Sequence, residues 1–599
     1  MIEKKGNLWV LSFEYAGIAK VGGLGEVPAN QVKYLSKKYN VFVILPSHGQ
    51  IDRLKMDNTW EKLSINCIGS FNPQILGERE SEMKYDISFY RFKINDTNFF
   101  ILTGENPSTR KFLDDNDIYN PDTINGKILL FSIGVRKLMT YLVENRKEIL
   151  PDVIHLHDYH VVISLINIKQ ILNKKGLDIA SIITIHLLTW PRFPIEFYKA
   201  SGVDVTPFNI LLREGFKLVT IEDIFDLCLQ SDYEHSQIPT VEKVGAVISD
   251  LVTTVSQSYL KSDIIPNCGK ELIDFKSDFV WDGCDWDYDE INKKVKNSVS
   301  NELREFLENP AENLITKEIL KEYLLKYKIG NLSQSPLISS KKVLEVINEI
   351  SNGNPFIKNG NIKAFNESGP LIITTGRISP QKGFETIFEA IPKVIKVIPN
   401  VKFLFLLIPT VYNLNEIQNY SKYVKNYSEN IRIIFGVASD IFYLAHMAAD
   451  VYCALSRWEP FGINALEAMA SKIPIIGTKV GGLQETIIDM RSYPELGTGI
   501  LIEKDNVLQF ADEAISLLLL AEISNRIKEK GLIYDTSTFQ LVNQIPDEIL
   551  KSRVLIDAHY YENVRENCYK RVKNNFRWEI VSKKLIDLYS RIKKLHLGY

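Results

Sequence analysis

A few short stretches of this sequence gather residue types that can do chemistry. Lys20-Val21-Gly22-Gly23-Leu24-Gly25-Glu26 places glycines and a cation where a helix opens. Glycines let a ligand approach the backbone closely, and the free N–H groups of a helix start favour an anion. The spacing is not GxGxxG, so a dinucleotide reading is weak, and a tight turn that only packs the helix remains open. Thr374-Thr375-Gly376-Arg377-Ile378-Ser379-Pro380-Gln381-Lys382-Gly383 sets two cations five residues apart in one loop. Arg can fork onto phosphate oxygens and Lys adds a point charge, so this loop suits a diphosphate, against the plainer reading of a solvated basic loop.

Two further stretches carry imidazoles and carboxylates. In His155-Leu156-His157-Asp158-Tyr159-His160, His155 and His157 share a strand face, and Thr184-Ile185-His186 ends another strand. H-x-H can begin a metal site, but the sequence offers no convincing set of further ligands. The alternatives are a polar strand end on which Asp158 accepts from a sugar hydroxyl, or structural histidines. Arg457-Trp458-Glu459-Pro460-Phe461-Gly462 puts Glu459 in a turn, and Glu467 follows eight residues later on a helix over Ile463 to Ala470. Two acids so spaced could hold two groups of one ligand, though a helical Glu is commonly only a surface residue. Thr478-Lys479-Val480-Gly481-Gly482-Leu483 is a second glycine turn between strand and helix.

These residues need elements to position them. Leu8 to Phe13, Val41 to Leu45, Phe99 to Thr103, Asp152 to Leu156, Ile182 to Ile185 and Leu251 to Val255 read as buried strands, with a helix over Glu26 to Lys38. Leu371 to Thr375, Lys402 to Leu407, Ile431 to Phe435, Val451 to Ala454 and Pro474 to Gly477 read as a second set. Strands joined by crossover helices imply parallel, doubly wound sheets, which bind ligands beyond the carboxyl ends of their strands. The expected organisation is an N-terminal Rossmann-like domain over 1–265 and a hinge with a polar insertion over 266–366. A C-terminal Rossmann-like domain over 367–575 follows, with an irregular decoration at about 530 to 560. A helix over 576–599 should pack back toward the N-terminal domain, and the site is expected in the cleft between the two sheets.

Composition narrows the function. A chain of 599 residues exceeds one compact core. Lys plus Arg is 71 against Asp plus Glu 74, a net charge of -3, so no nucleic-acid partner is expected. The six cysteines (67, 228, 268, 284, 453 and 568) form no CxxC pair, as in a reduced cytosolic protein. No apolar run is long enough to span a membrane, and the first meets Glu14 and Lys20 too soon for a signal peptide.

Taken in order, the motifs resemble the glycogen and starch synthases, retaining glycosyltransferases of the GT-B fold. The resemblance covers most of the chain. It rests on Lys20 to Glu26, His157-Asp158, Thr184 to His186, Leu251 to Ser256, Gly376 to Gly383, Glu459 to Gly462 and Gly481-Gly482-Leu483. Pro46-Ser47-His48-Gly49 and the stretch around Val252 to Ser256 look most like archaeal members. The family implies that Lys20 and Gly23 lie by the donor phosphates and glucose, and that Arg377 and Lys382 bind the diphosphate. It places Asp158, His186 and Glu459 on the transferred glucose and Glu467 on the ribose. Gly22, Gly376 and Gly462, in the same motifs, join the substrate-binding set. The implied donor is ADP-glucose or UDP-glucose and the implied acceptor an α-glucan. No cofactor, metal or membrane partner is implied, and a homo-oligomer is left open. The chain departs from the pattern at Asp282-Gly283-Cys284-Asp285, at Pro191 to Pro194 and in the long insertion at about 290 to 366. A glycosyltransferase with another acceptor, and a glucan-binding protein without turnover, are the alternatives.

Overall fold

The computed structural model describes residues 4–230, 236–307, 315–338, 340–530 and 535–596, and the side chains of residues 529 and 530 are excluded. Residues 531–534 of the stretch read as a decoration, and 308–314 and 339 of the polar insertion, lie outside the described residues. The chain folds as two units. One comprises Met1–Asp282 with Trp578–Tyr599, the other Gly283–Arg577.

The first unit is built on ten strands, β1 (Asn7–Leu11), β2 (Asn40–Pro46), β3 (Thr59–Lys62), β4 (Ile68–Phe71), β5 (Met83–Ile94), β6 (Thr97–Gly104), β7 (Val153–His157), β8 (Ala180–Ile185), β11 (Leu251–Thr254) and β12 (Ser277–Phe279). A separate hairpin pairs β9 (Phe208–Leu212) with β10 (Gly215–Val219). Sheet order is β12-β11-β8-β7-β1-β2-β6-β5-β3, with β4 on β5. From β12 to β6 every pairing is parallel, whereas β5 pairs antiparallel with β6, β3 and β4. The sheet is therefore mixed, not wholly parallel. Thr97 follows Ile94 through a two-residue turn at Asn95, whose φ is 51°, and so short a link only joins antiparallel neighbours.

Alternation along β1 shows that both faces of this sheet are covered. Trp9 and Leu11 enter a core with Leu129, Leu138 and Ile166 from the helices Ile124–Asn145 and Val162–Asn173. Leu8 and Val10 enter a core on the other face with Val32 and Leu35 of the helix Gly23–Leu35. The same face receives Val581, Leu585, Leu588, Tyr589 and Ile592 from the helix Trp578–His596. Each such buried side chain contributes about 1.5–3 kcal/mol, before the entropy of ordering the helix.

Polar groups fasten the end of this helix. His596 Nδ1 lies 3.2 Å from Asp178 Oδ2, and Nε2 lies 3.1 Å from Asp250 Oδ2. Burial pulls the imidazole pKa down, but hydrogen bonds to the two carboxylates outweigh it and hold it at about 9. A folded-state pKa raised above the ordinary ~6.5 gives a contribution that is complete below pH ~6.5 and lost as pH rises through about 9. Hydrogen-exchange protection of Trp578–His596, corrected for intrinsic rates, is expected to fall between pH 6.5 and 9.5 by on the order of 1–3 kcal/mol. His596→Gln should abolish that slope. An equal slope in both proteins would dismiss the latch.

The second unit is built on β13 (Ile357–Lys358), β14 (Leu371–Arg377), β15 (Lys402–Ile408), β16 (Ile431–Phe435), β17 (Val451–Ala454), β18 (Ile475–Thr478) and β19 (Gly499–Ile502). Its sheet is parallel throughout, in the order β13-β16-β15-β14-β17-β18-β19. Residues 283–307, read from composition as hinge and insertion, belong to this unit in the structure. Their helix Tyr288–Phe306 buries Ile291, Val295, Val299 and Leu303 at i, i+4 spacing, an apolar stripe within a polar sequence. The helix Lys317–Lys326 turns two lysines inward. Lys317 and Lys321 both pair with the buried Asp450, whose Oδ2 also accepts from Leu371 N at 2.8 Å. That carboxylate pins the start of β14.

Candidate active site

Strand order reverses once in each parallel array, between β1 and β7 in the first unit and between β14 and β17 in the second. At such a switch point two neighbouring loops diverge and leave a crevice beyond the strand ends. The loops that follow these four strands, with those after the neighbouring β8 and β18, carry the motif residues.

In the second unit, β14 ends on Gly376 and Arg377, and the loop runs through Lys382 to the helix Phe384–Val397. β17 is followed by the turn that carries Glu459. Lys382 Nζ and Glu459 Oε2 stand 2.6 Å apart, and Ser456 Oγ donates to the same carboxylate oxygen at 2.9 Å. Arg457 N donates to Gln381 O at 2.7 Å and Gln381 Nε2 to Trp458 O at 3.0 Å, so the two loops are laced along their length. The glycine turn after β18 supports them from beneath. A Cβ on Gly481, at φ 41°, would come within 1.9 Å of Glu459 O, and Gly482 N donates to that carbonyl at 3.0 Å. Only glycine can let the turn sit there.

Gly462, at φ 97°, opens the helix Ile463–Ala470, where a side chain would strain. Glu467 is half-buried on that helix, close enough for its charge to push up the pKa of Tyr452 and Cys284, which burial has already raised most of the way. Arg377 differs from its neighbours. It is exposed, and its guanidinium makes no ion pair or hydrogen bond with any described residue. A cation on a strand end with no internal partner keeps its full charge for a ligand.

In the first unit, the loop after β1 holds Lys20, which pairs with Glu26. The N–H groups of Val21 and Gly22, candidates for an anion, are already occupied. Both donate to Glu14 Oε2, at 2.7 and 3.1 Å, and Tyr119 donates to the other oxygen of this buried carboxylate. The anion of this loop is therefore part of the chain. Gly23 begins the helix with Gly22 as its cap residue, so what the loop offers outward is the Lys20 ammonium. Motif reading missed Glu14 because it precedes the glycines and looks like an ordinary strand-end acid.

Beyond β7 and β8 the imidazoles lie side by side. His155 is sealed, with Nδ1 2.7 Å from Tyr589 Oη and Nε2 2.6 Å from Thr184 Oγ1. Both ring nitrogens are committed, so His155 has no lone pair for a metal and the H-x-H metal reading fails there. Among the described residues, no group of three or more His, Cys, Asp or Glu side chains could hold a metal ion. His157 Nδ1 lies 2.9 Å from His186 Nε2, with the rings stacked. Burial pulls the pKa of His186 down to about 3, and burial also holds His157 well below the usual imidazole range.

Asp158 adopts φ 61°, rare for a non-glycine, and its Oδ1 accepts from His186 N at 2.7 Å. Burial pushes its carboxyl up to about 8. The structure thus brings Asp158 and His186 together, with Asp158 gripping the backbone that carries the imidazole. A second grip was not visible in the motifs. Glu242, buried on the helix Val241–Ile248, accepts at Oε1 from Thr189 N at 2.9 Å and Trp190 N at 3.0 Å. It fixes the Pro191 to Pro194 departure from its leading edge.

The six cysteines are free thiols, all buried. Among the described residues no helix is long and apolar enough to cross a membrane.

Comparison with known proteins bears on the family and the fold. Residues 7–274 match the family model described as "Starch synthase catalytic domain", and 356–532 match "Glycosyl transferases group 1". The glycogen synthase of Clostridium novyi (strain NT) is 23% identical over 539 residues, 89% of this chain and 96% of that protein. That of Streptococcus agalactiae serotype Ia is 23% identical over 503 residues, 82% and 88% respectively. A probable glycogen synthase of the archaeon Methanocaldococcus jannaschii is 28% identical over 223 residues, only 35% of this chain and 39% of that one. Among solved structures, the catalytic domain of starch synthase IV from Arabidopsis thaliana, bound to ADP and acarbose, superposes with a TM-score of 0.62. It shares 17% identity and covers 99% of this chain and all of its own, a likeness of fold.

Proposed function

The chain belongs to the glycogen and starch synthase family of GT-B glucosyltransferases, and from that premise we propose that it transfers glucose from ADP-glucose or UDP-glucose to the non-reducing end of an α-1,4-glucan with retention. The observation that carries this reading is the cationic loop at the β14/β17 switch point, with Arg377 unpartnered and Lys382 seated on Glu459. As the bond from glucose C1 to the phosphate oxygen breaks, negative charge grows on the diphosphate. Fixed cations aimed at that charge stabilise the transition state more than the ground state. Arg377 and Lys382 serve this role.

Retention follows without a covalent intermediate. Asp158 carries a carboxyl pushed to about 8 by burial and an oxygen committed to His186 N, a poor nucleophile near neutrality. The leaving phosphate instead takes the proton of the acceptor hydroxyl, whose oxygen bonds C1 on the face the phosphate leaves. Buried free thiols and the lack of a spanning helix among the described residues support a cytoplasmic location. Labelled ADP-glucose and UDP-glucose, each with and without glycogen, test the proposal. Label in polymer supports it. Donor consumption with no polymer points to another acceptor, and nucleotide binding without consumption to a protein that has lost turnover.

The two acids divide the donor between them. Glu459→Gln is expected to lose turnover while binding ADP or UDP at least as well as wild type, because Lys382 is released from a competing carboxylate. Glu467→Gln should bind nucleoside diphosphate more weakly by roughly 1.5–3 kcal/mol, the worth of a hydrogen bond to a charged group. Calorimetric titration of both variants decides. Loss of nucleotide affinity in Glu459→Gln would reverse the assignment.

A further inference from the structure

Resting on that reading, we infer that His157 is a positioning residue that fixes the tautomer of His186, so that His186 offers the bound sugar an N–H and not a lone pair. The inference comes from counting hydrogens in a sealed pair. One hydrogen lies between His157 Nδ1 and His186 Nε2, 2.9 Å apart, since burial keeps both rings neutral. His157 Nε2 is buried with no hydrogen-bond partner.

If the hydrogen of His157 were on Nε2, a buried N–H would stand orphaned, which folded proteins avoid more strictly than an unused lone pair. The hydrogen of His157 is therefore on Nδ1, and His186 Nε2 accepts it. A neutral imidazole carries one hydrogen, so that of His186 is on Nδ1. This atom has no partner among the described residues and, on a residue only 8% exposed, is not fully buried, so it is the ring nitrogen of the pair that a ligand can reach. The ring is held at two points, its backbone N–H by Asp158 and its Nε2 by the edge of His157.

The other ionisable neighbours hold the same arrangement. His155 packs at a tilt against His157, 4.2 Å between centroids, and is itself locked by Tyr589 and Thr184. Asp158, raised by burial and then by the nearby Glu242 carboxylate, adds no cation to the pair. A neutral N–H is then offered to a sugar hydroxyl oxygen, which accepts from it and is oriented without added charge.

The direct test needs no variant. Protein labelled with 15N-histidine gives long-range 15N–1H spectra that distinguish the two neutral tautomers, and the His186 signal is assigned by its loss in His186→Gln. The expected result is the Nδ1–H form at pH 7, and the Nε2–H form would overturn the inference. This readout does not depend on the reaction, so it stands or falls separately from the proposed function. Two variants then connect tautomer to turnover. His157→Asn keeps a donor near the Nδ1 position and should leave kcat within about threefold. His157→Asp offers only acceptors, draws the hydrogen to His186 Nε2 and raises its pKa. Its kcat should fall tenfold or more at pH 7, equivalent to about 1.4 kcal/mol, with a new acid limb absent from wild type. Equal kcat and pH profiles in two folded variants would overturn the link to turnover. Should His157→Asp fail to fold, the wild-type spectrum still decides.

Discussion

Lys382→Ala is expected to lower kcat by about 10²–10³-fold, about 2.7–4 kcal/mol, the usual cost of removing one charge partner of a transition state. The structure sharpens the reason. This ammonium rests on Glu459, so it is held in place by a carboxylate and pre-aimed rather than free to wander. The side chains of the pair are 24% and 11% exposed, and a partly exposed pair of this kind adds only about 0–1 kcal/mol to stability. The variant should therefore fold, melt within a few degrees of wild type and lose chemistry. Arg377→Ala gives a useful contrast: with no internal partner to lose, its stability should change by less than about 0.5 kcal/mol while turnover falls. Steady-state kinetics and a thermal melt on the same samples decide the matter. Near wild-type kcat in Lys382→Ala would remove the loop from the catalytic account.

A loss of comparable size, but in stability, is expected at Asp450. Its carboxylate is buried, contacts the Lys317 and Lys321 ammoniums and accepts from Leu371 N. Burial alone would raise its pKa, but the two lysines hold it well below the carboxylate range. Asp450→Asn leaves the buried Lys321 and the half-buried Lys317 ammoniums facing a neutral amide, with Glu318 still paired to Lys321, and removing one partner of a buried ion set costs about 3–5 kcal/mol. Hydrogen exchange should show the loss in β14 and β17, with the loop bearing Arg377 and Lys382 loosened as a consequence. Replacing Asp450, Lys317 and Lys321 together by apolar residues should recover most of the stability, because the desolvation cost disappears with the charges. If exchange in β14 is unchanged in Asp450→Asn, the carboxylate is not what pins the strand.

What the sequence made legible follows from how local its signals are. The parallel strands announce themselves as apolar runs because both faces are buried, and glycine turns and cationic loops appear where each strand ends. β14 and β17, with Arg377, Lys382 and Glu459 just beyond them, are of this kind. β5 escaped because MKYDISFYRFKI alternates polar and apolar residues instead of forming an unbroken apolar run, although that alternation and the Asn95-Asp96 turn leading straight into β6 are the marks of an antiparallel hairpin. Nor could Glu14 or Glu242 be picked out, since their importance lies in which N–H groups fold onto them. His155 carried a pattern that suits a metal. Only Tyr589, 434 residues away, shows that both of its nitrogens are used.

The helix Trp578–His596 also bears on how the protein is made. Leu8, Val10, Val41 and Val43 await Val581, Leu585 and Tyr589 to cover them, and the second unit lies between in the chain. During synthesis at roughly 5–20 residues per second, that apolar face stays uncovered for tens of seconds after its sheet can pair. Over that interval the nascent first unit presents a half-finished core to the cell, and the second unit can mature independently. Closure then joins segments at nearly the largest sequence separation the chain permits, a slow step whose entropy is repaid only when it is complete. A ribosome stalled late would release a product with an intact cationic loop and an incomplete first unit, a natural substrate for chaperones and proteases.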